Sequence, residues 1–268
     1  MTNFYILCNI NRNLSKYLKE LLLKMTVNEG NAELVILGAG PGDPELITLK
    51  GFNILQKANV VLYDNLANQE LLNYTKPDCE HVYVGKKPYT KYTSQEEIHE
   101  LIEHYSKKGG MIVRLKGGDP FIFGRGYEEV VFARQLGIKT TYVPGITSMQ
   151  ASGLNDIPLT HRAVSESVWM LTGTKKDGTL SGDLQLAMQS NATVAIYMGM
   201  KQLPEIARIY TQYNKGDTPA AIIQHASLPH QRSVKGAIKD MPALAEQHQL
   251  TYPSIIIIGK VTSLDDNV

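Results

Sequence analysis

Between residues 34 and 145, short apolar runs rich in β-branched residues alternate with stretches of helical periodicity. The strand candidates are LVILG (34–38), NVVLYD (59–64), HVYVG (81–85), MIVRLKGGD (111–119) and IKTTYVPG (138–145). This rhythm predicts a largely parallel sheet covered by helices. Ser94 and Glu97 stand at capping-box spacing ahead of Ile98, Leu101 and Ile102, so a helix is expected to begin there and to end at Gly109 and Gly110. An earlier helix is expected to open with Pro44 at its first position.

After LTHR at 159–162 the rhythm restarts with SVWMLTG, ATVAIYMG, PAAIIQHA, QRSVKGAI and PSIIIIG. Some of these runs are too close together for a crossover helix, so hairpins and a mixed sheet are expected. The simplest partition is an N-terminal extension over 1–32, an α/β domain over 33–150, a linker over 151–166 and a second α/β domain over 167–264. In the extension Leu14, Tyr17, Leu18, Leu21, Leu22 and Met25 recur on one face of an amphipathic helix. That stripe suits a partner or membrane surface, packing on the protein's own body, or an extension upstream of a later start at Met25.

Composition narrows the functional classes. With 27 Lys and Arg against 26 Asp and Glu, the net charge of +1 argues against bulk attraction to nucleic acid or an anionic membrane, and neither is an expected partner. An anionic ligand would need a local basic patch. Cys8 and Cys79 are too few for a disulfide framework or a zinc site, so no metal is expected and a reducing compartment fits. No run approaches the roughly 20 apolar residues that cross a bilayer. The start lacks a basic region ahead of its short apolar run, which makes a poor secretory signal and leads us to expect a cytoplasmic protein.

Candidate chemistry sits in three glycine-rich turns. Gly38, Gly40 and Gly42 follow a strand, where backbone N–H groups can approach a ligand. A dinucleotide fingerprint would carry a third glycine at position 43, but Asp43 stands there between Pro41 and Pro44, and its charge would repel a pyrophosphate. The second turn, RLKGGDPFIFGRG (114–126), combines Gly117, Gly118 and Asp119 with apolar Phe121, Ile122 and Phe123; the third, VPGITSMQ (143–150), offers Gly145, Thr147 and Ser148. Three such turns on one sheet edge would outline a pocket for a nucleoside-like ligand, without requiring a phosphate.

In this order GAGPGDPELITLKG, YDNL (63–66), RLKGGDPFIFGRG, VPGITS and IPLTHR resemble the tetrapyrrole methylase family, from residue 34 to the region of Leu264, and in particular its members that act on uroporphyrinogen III. The resemblance implies two α/β domains, the first on a parallel sheet and the second on a mixed one, with S-adenosyl-L-methionine in the cleft between them. It implies cofactor contacts from Pro41, Gly117, Gly118, Asp119, Ile122, Thr147, Ser148, Met198 and Ala226. It makes Asp64 a proton acceptor and Lys86 a proton donor; read without it, Asp64 is a helix N-cap, Lys86 a solvated charge and Met198 core packing. The implied activity is methylation of uroporphyrinogen III at C2 and C7 to precorrin-2, for sirohaem or cobalamin synthesis, by a homodimer. The chain departs from the family at Ala226 and Ser227, where a Gly-Thr pair is usual, and at Tyr127, where a glycine is common.

A substrate with eight carboxylates needs cationic donors. Candidates are Lys86, Lys87, Lys91, Arg114, Lys116, Arg125, His161, Arg162 and Arg232. Arg125 and Arg162 are favoured because a guanidinium grips a carboxylate with two hydrogen bonds, while His161 divides between a ligand and a structural role. Rival functions are methylation of a later corrin intermediate, a non-catalytic tetrapyrrole-binding protein and a nicotinamide oxidoreductase.

Overall fold

A computed structural model describes residues 31–85 and 93–264; Lys86, Lys87, Lys91 and the stripe of the extension lie outside them. The first domain contains β1 (Ala32–Gly38), α1 (Leu49–Leu55), β2 (Val60–Tyr63), β3 (Glu80–Tyr83), α2 (Gln95–Ser106), β4 (Gly110–Lys116), α3 (Gly126–Gln135) and β5 (Lys139–Val143). Its five strands run in the order β3-β2-β4-β1-β5, every neighbouring pair parallel. Alternate residues of each strand serve opposite layers. Leu34, Ile36, Leu62 and Ile112 pack with Ile98, Ile102, Val130 and Ala133 from α2 and α3, whereas Val35, Leu37, Val61, Val113 and Leu115 pack with Leu55 and Leu71.

The second domain contains β6 (Val168–Thr172), α4 (Leu184–Gln189), β7 (Thr193–Tyr197), α5 (Leu203–Gln212), β8 (Pro219–Gln224), β9 (Arg232–Ala237), α6 (Met241–Gln247) and β10 (Ser254–Ile258). The order β6-β7-β10-β8-β9 is mixed: β6 and β7 are parallel, and β10 and β9 pair antiparallel with their neighbours. Ala151 and Ile157, from the segment expected to be a linker, pack under this sheet against Ala195, Ile223, Ala226 and Ile257.

All ten expected strand segments are strands. The capping box forms as expected: the Glu97 N–H donates to Ser94 Oγ at 3.1 Å and the Ser94 N–H donates to Glu97 Oε2 at 2.6 Å. Gly109 and Gly110, just beyond α2, take φ of 75° and 83°, which turns the chain into β4. The expected helix at Pro44 needs correction. Pro44 opens only a 3-10 turn, Pro44–Leu46, and the helix proper begins at Leu49, capped by the Thr48 hydroxyl that accepts from the Gly51 N–H.

Candidate functional site

Because the first sheet is wholly parallel, β1, β4 and β5 deliver their C-terminal ends to one edge, with Gly38 opposite Lys116 and Leu37 opposite Val143. The three glycine-rich turns leave from those ends and converge, the place where open α/β sheets hold ligands. Gly40 and Gly118 exchange backbone hydrogen bonds of 3.3 and 2.7 Å. A Cβ on Gly145 would lie 2.2 Å from the Gly118 carbonyl oxygen, and one on Gly38 would lie 2.4 Å from the Gly145 nitrogen. Only glycine lets the turns approach this closely.

Asp119 braces the second turn to the third. Its Oδ1 accepts from the Phe121 N–H at 2.8 Å, and its Oδ2 accepts from the Tyr142 hydroxyl at 2.6 Å and the Gly145 N–H at 3.1 Å. Burial, and then the bond to Asp119, pushes the Tyr142 phenol well above its ordinary value. A carboxylate has about four acceptor positions, so one remains for a ligand.

The second domain closes on these turns. Thr147 Oγ1 and the Tyr197 hydroxyl share a hydrogen bond of 2.6 Å, the Met149 N–H donates to the same hydroxyl at 3.1 Å, and the Phe123 and Tyr197 rings are 5.1 Å apart. The Asp43 N–H donates to Ser227 Oγ at 2.9 Å. A Cβ on Gly42 would come within 3.1 Å of the Ala226 carbonyl oxygen, so Ala226 faces the first turn across the domain boundary. Met198 is 53% exposed with φ of 53°, which overturns the core-packing reading of this side chain. His225 and Ser227 also take positive φ, of 52° and 71°. Non-glycine residues held there at the ends of β7 and β8 are strained in the way that functional loops tend to be.

Asp64 lies just beyond β2 and caps no helix, contrary to its alternative reading: Oδ1 accepts from the Leu66 N–H at 3.0 Å in a local turn. Its Oδ2 accepts from Arg114 Nη2 at 2.9 Å. Arg114 and Lys116 were expected among the substrate donors, but both are buried and committed within the protein. Glu129 of α3, 0% exposed, takes a bond from Lys116 Nζ at 3.0 Å and lies 3.5 Å from Arg114 Nε. Burial, and then the adjacent Arg114 charge, lowers the Lys116 pKa, with Glu129 acting against both.

The other expected donors differ in availability. Arg125, at φ 59°, makes a two-pronged ion pair with Glu128 of its own chain segment, at 2.9 and 2.7 Å. Arg232 bonds Gln224 and the carbonyls of His248 and Gln249, so it too is spent on the second domain's own structure. His161 and Arg162 are exposed, on a hairpin closed by the His161–Ser165 bridge. Sequence reasoning missed Tyr197, Tyr142 and Glu129. The last had a signal: Gly126, Glu129, Val130 and Ala133 share helical spacing on the inward face of α3, and a carboxylate there demands partners.

The chain matches the family Tetrapyrrole (Corrin/Porphyrin) Methylases over residues 33–242. A uroporphyrinogen-III C-methyltransferase of Methanocaldococcus jannaschii is 39% identical over 238 residues, covering 88% of this chain and 98% of that protein. A sirohaem synthase of Thiobacillus denitrificans is 40% identical over 88% of this chain, but the chain spans only 50% of that relative's length. A crystal structure of uroporphyrin-III C-methyltransferase from Thermus thermophilus, complexed with S-adenyl homocysteine, superposes with a TM-score of 0.74 at 36% identity, covering 86% of this chain and 99% of that one.

Proposed function

We propose, on the premise that this chain belongs to the tetrapyrrole (corrin/porphyrin) methylases, that it transfers methyl groups from S-adenosyl-L-methionine to C2 and then C7 of uroporphyrinogen III, giving precorrin-2 for sirohaem or cobalamin synthesis. The observation that carries this reading is the convergence of the three glycine-rich turns against Tyr197, Ala226 and Ser227, with Asp64 at the end of a neighbouring strand.

The residues fit an adenosyl ligand that carries no phosphate. The turns contribute glycine backbone, the apolar Pro41 and Ile122, and one acceptor position on Asp119; Asp43 of the first turn is negative and caps its own 3-10 turn. Pro41, Gly117, Gly118, Asp119, Ile122, Thr147 and Ser148 would hold the cofactor from the first domain, and Met198 and Ala226 from the second. When bound, S-adenosyl-L-methionine supplies a methyl group already activated on a sulfonium. The pyrrole carbon is already nucleophilic, so the protein's contribution is mainly alignment, an effect that reaches about 7 to 11 kcal/mol.

Methylation leaves the ring cationic, and a neighbouring carbon must then lose a proton. Asp64 accepts it: Oδ1 is steadied by the Leu66 N–H and Oδ2 by Arg114, and the side chain keeps 20% of its surface exposed. Lys86 is the proton donor in this reading. Arg125, His161 and Arg162 receive substrate carboxylates, Arg125 by exchanging Glu128 for the substrate. The working form is a cytoplasmic homodimer in which residues 33–150 and 167–264 form the two domains. Uptake of methyl label from S-adenosyl-L-methionine into uroporphyrinogen III by the purified protein tests the reading.

A further inference from the structure

Glu129 has no part in the reaction as described above, yet it is the most completely buried charged side chain among the described residues, at 0% exposure. Its Oε1 accepts hydrogen bonds from Lys116 Nζ at 3.0 Å and Gln95 Nε2 at 3.3 Å and lies 3.5 Å from Arg114 Nε, an ion-pair contact without a hydrogen bond, while its Oε2 is buried without a hydrogen-bond partner. Taking a carboxylate out of water costs several kcal/mol, and leaving part of its acceptor capacity unused adds to that cost. Replacing the whole buried ion group by packed apolar side chains is often neutral or stabilising, so stability alone does not account for the carboxylate.

What the carboxylate does there follows from Arg114. The guanidinium is planar and rigid, so fixing one edge fixes the other. Nη1 donates to the carbonyls of Leu62 and Leu115 at 3.3 and 2.8 Å, Nε stands 3.5 Å from the Glu129 carboxylate without hydrogen-bonding to it, and Nη2 donates to Asp64 Oδ2 at 2.9 Å. Two cations, Arg114 and Lys116, stand between two carboxylates, Asp64 and Glu129, in a group that is neutral overall. Of the four, Asp64 is the most accessible, its side chain 20% exposed against 8% or less for the others, just beyond the end of β2.

We propose that Glu129 is a positioning residue: by holding Lys116 and setting its buried charge 3.5 Å from the Nε edge of Arg114, it biases the orientation in which Arg114 presents the Asp64 carboxylate to the substrate. The inference rests on the reading of Asp64 as the proton acceptor. Glu129 acts through Arg114 and touches no reacting atom. Replacing it should impair the proton-transfer step without weakening cofactor or substrate binding.

The test is a double-mutant cycle of Glu129→Gln with Asp64→Asn, read by steady-state methyl transfer to uroporphyrinogen III and by calorimetric titration with S-adenosylhomocysteine. Glu129→Gln alone should lower kcat about 10- to 100-fold, the scale of a misplaced catalytic group, with KM and homocysteine-ligand affinity unchanged. In the Asp64→Asn background the same change should cause no further loss. A full additional loss there, or unchanged kcat in the single variant, would overturn the proposal. Should Glu129→Gln fail to fold, the charge-balanced pair Lys116→Met with Glu129→Gln replaces it, with the same predicted drop in kcat and the same insensitivity in the Asp64→Asn background. An unmutated protein that methylates nothing would instead reject the proposed function itself.

Discussion

The hydroxyl groups of Tyr197 and Thr147 meet at 2.6 Å, one at the end of the second domain's β7 and the other in the turn that follows β5 of the first. The bond ties the two halves of the proposed cleft together at the turn assigned to the cofactor. Tyr197→Phe removes it, and it also removes the acceptor of the Met149 N–H. A buried polar group left unpaired costs about 1–3 kcal/mol, so this variant should lose stability on that scale in chemical denaturation and bind S-adenosylhomocysteine more weakly in titration calorimetry.

Gly145→Ala places a methyl group 2.2 Å from the Gly118 carbonyl oxygen and 2.8 Å from Gly38 Cα, and backbone atoms cannot rotate out of its way. The turns must part, at a cost of about 1–3 kcal/mol or more, and cofactor binding should be lost with them. Gly153→Ala is the matched control. A Cβ there meets nothing within 4 Å, so stability should change by less than about 0.5 kcal/mol and binding should be unaffected.

Asp64→Asn keeps an oxygen for the Leu66 N–H and nearly the same volume, but it cannot accept a proton at the relevant pH. General-base assistance contributes about 10²- to 10⁴-fold. The variant should therefore lose kcat in that range while binding S-adenosylhomocysteine normally; the pair of measurements separates a chemical role from a structural one.

The loop after β8 should respond to acid. Burial first, then the charges of His230 and Arg232, lowers the pKa of His225, whose ring lies 4.6 Å from that of His230. A histidine held below its ordinary value binds fewer protons folded than unfolded. Its contribution to stability is therefore intact above the unfolded pKa of about 6.5 and is lost as pH falls below it. The melting temperature should hold above about pH 7 and drop from about pH 6.5 toward 5, and His225→Asn, which tolerates φ of 52°, should flatten that drop.

Local signals carried the fold. Short apolar runs, most of them rich in β-branched residues, marked the strands, and Ser94 with Glu97 marked the start of α2, because these preferences act within a few residues of sequence. The boundary at Pro44 misled because proline fits the start of a 3-10 turn as well as of a helix, while Thr48, whose hydroxyl caps α1, was the better sign. Within the site, the glycine spacing indicated which turns approach a ligand, but not that they lean on one another. The Asp43–Ser227 bond links residues 184 positions apart and leaves no local trace. Arg114 and Lys116 read as substrate donors because cations beside an anionic substrate invite that role. Their alternation with Ile112 on one face of a buried parallel strand, opposite an inward Glu129, was the contrary indication.

The most direct test of the account is the mass of the tetrapyrrole formed when the purified protein is incubated anaerobically with uroporphyrinogen III and S-adenosyl-L-methionine. The predicted result is a gain of one and then two methyl groups, with S-adenosylhomocysteine as co-product. An unchanged mass, or methylation of a later corrin intermediate but not of uroporphyrinogen III, would contradict it.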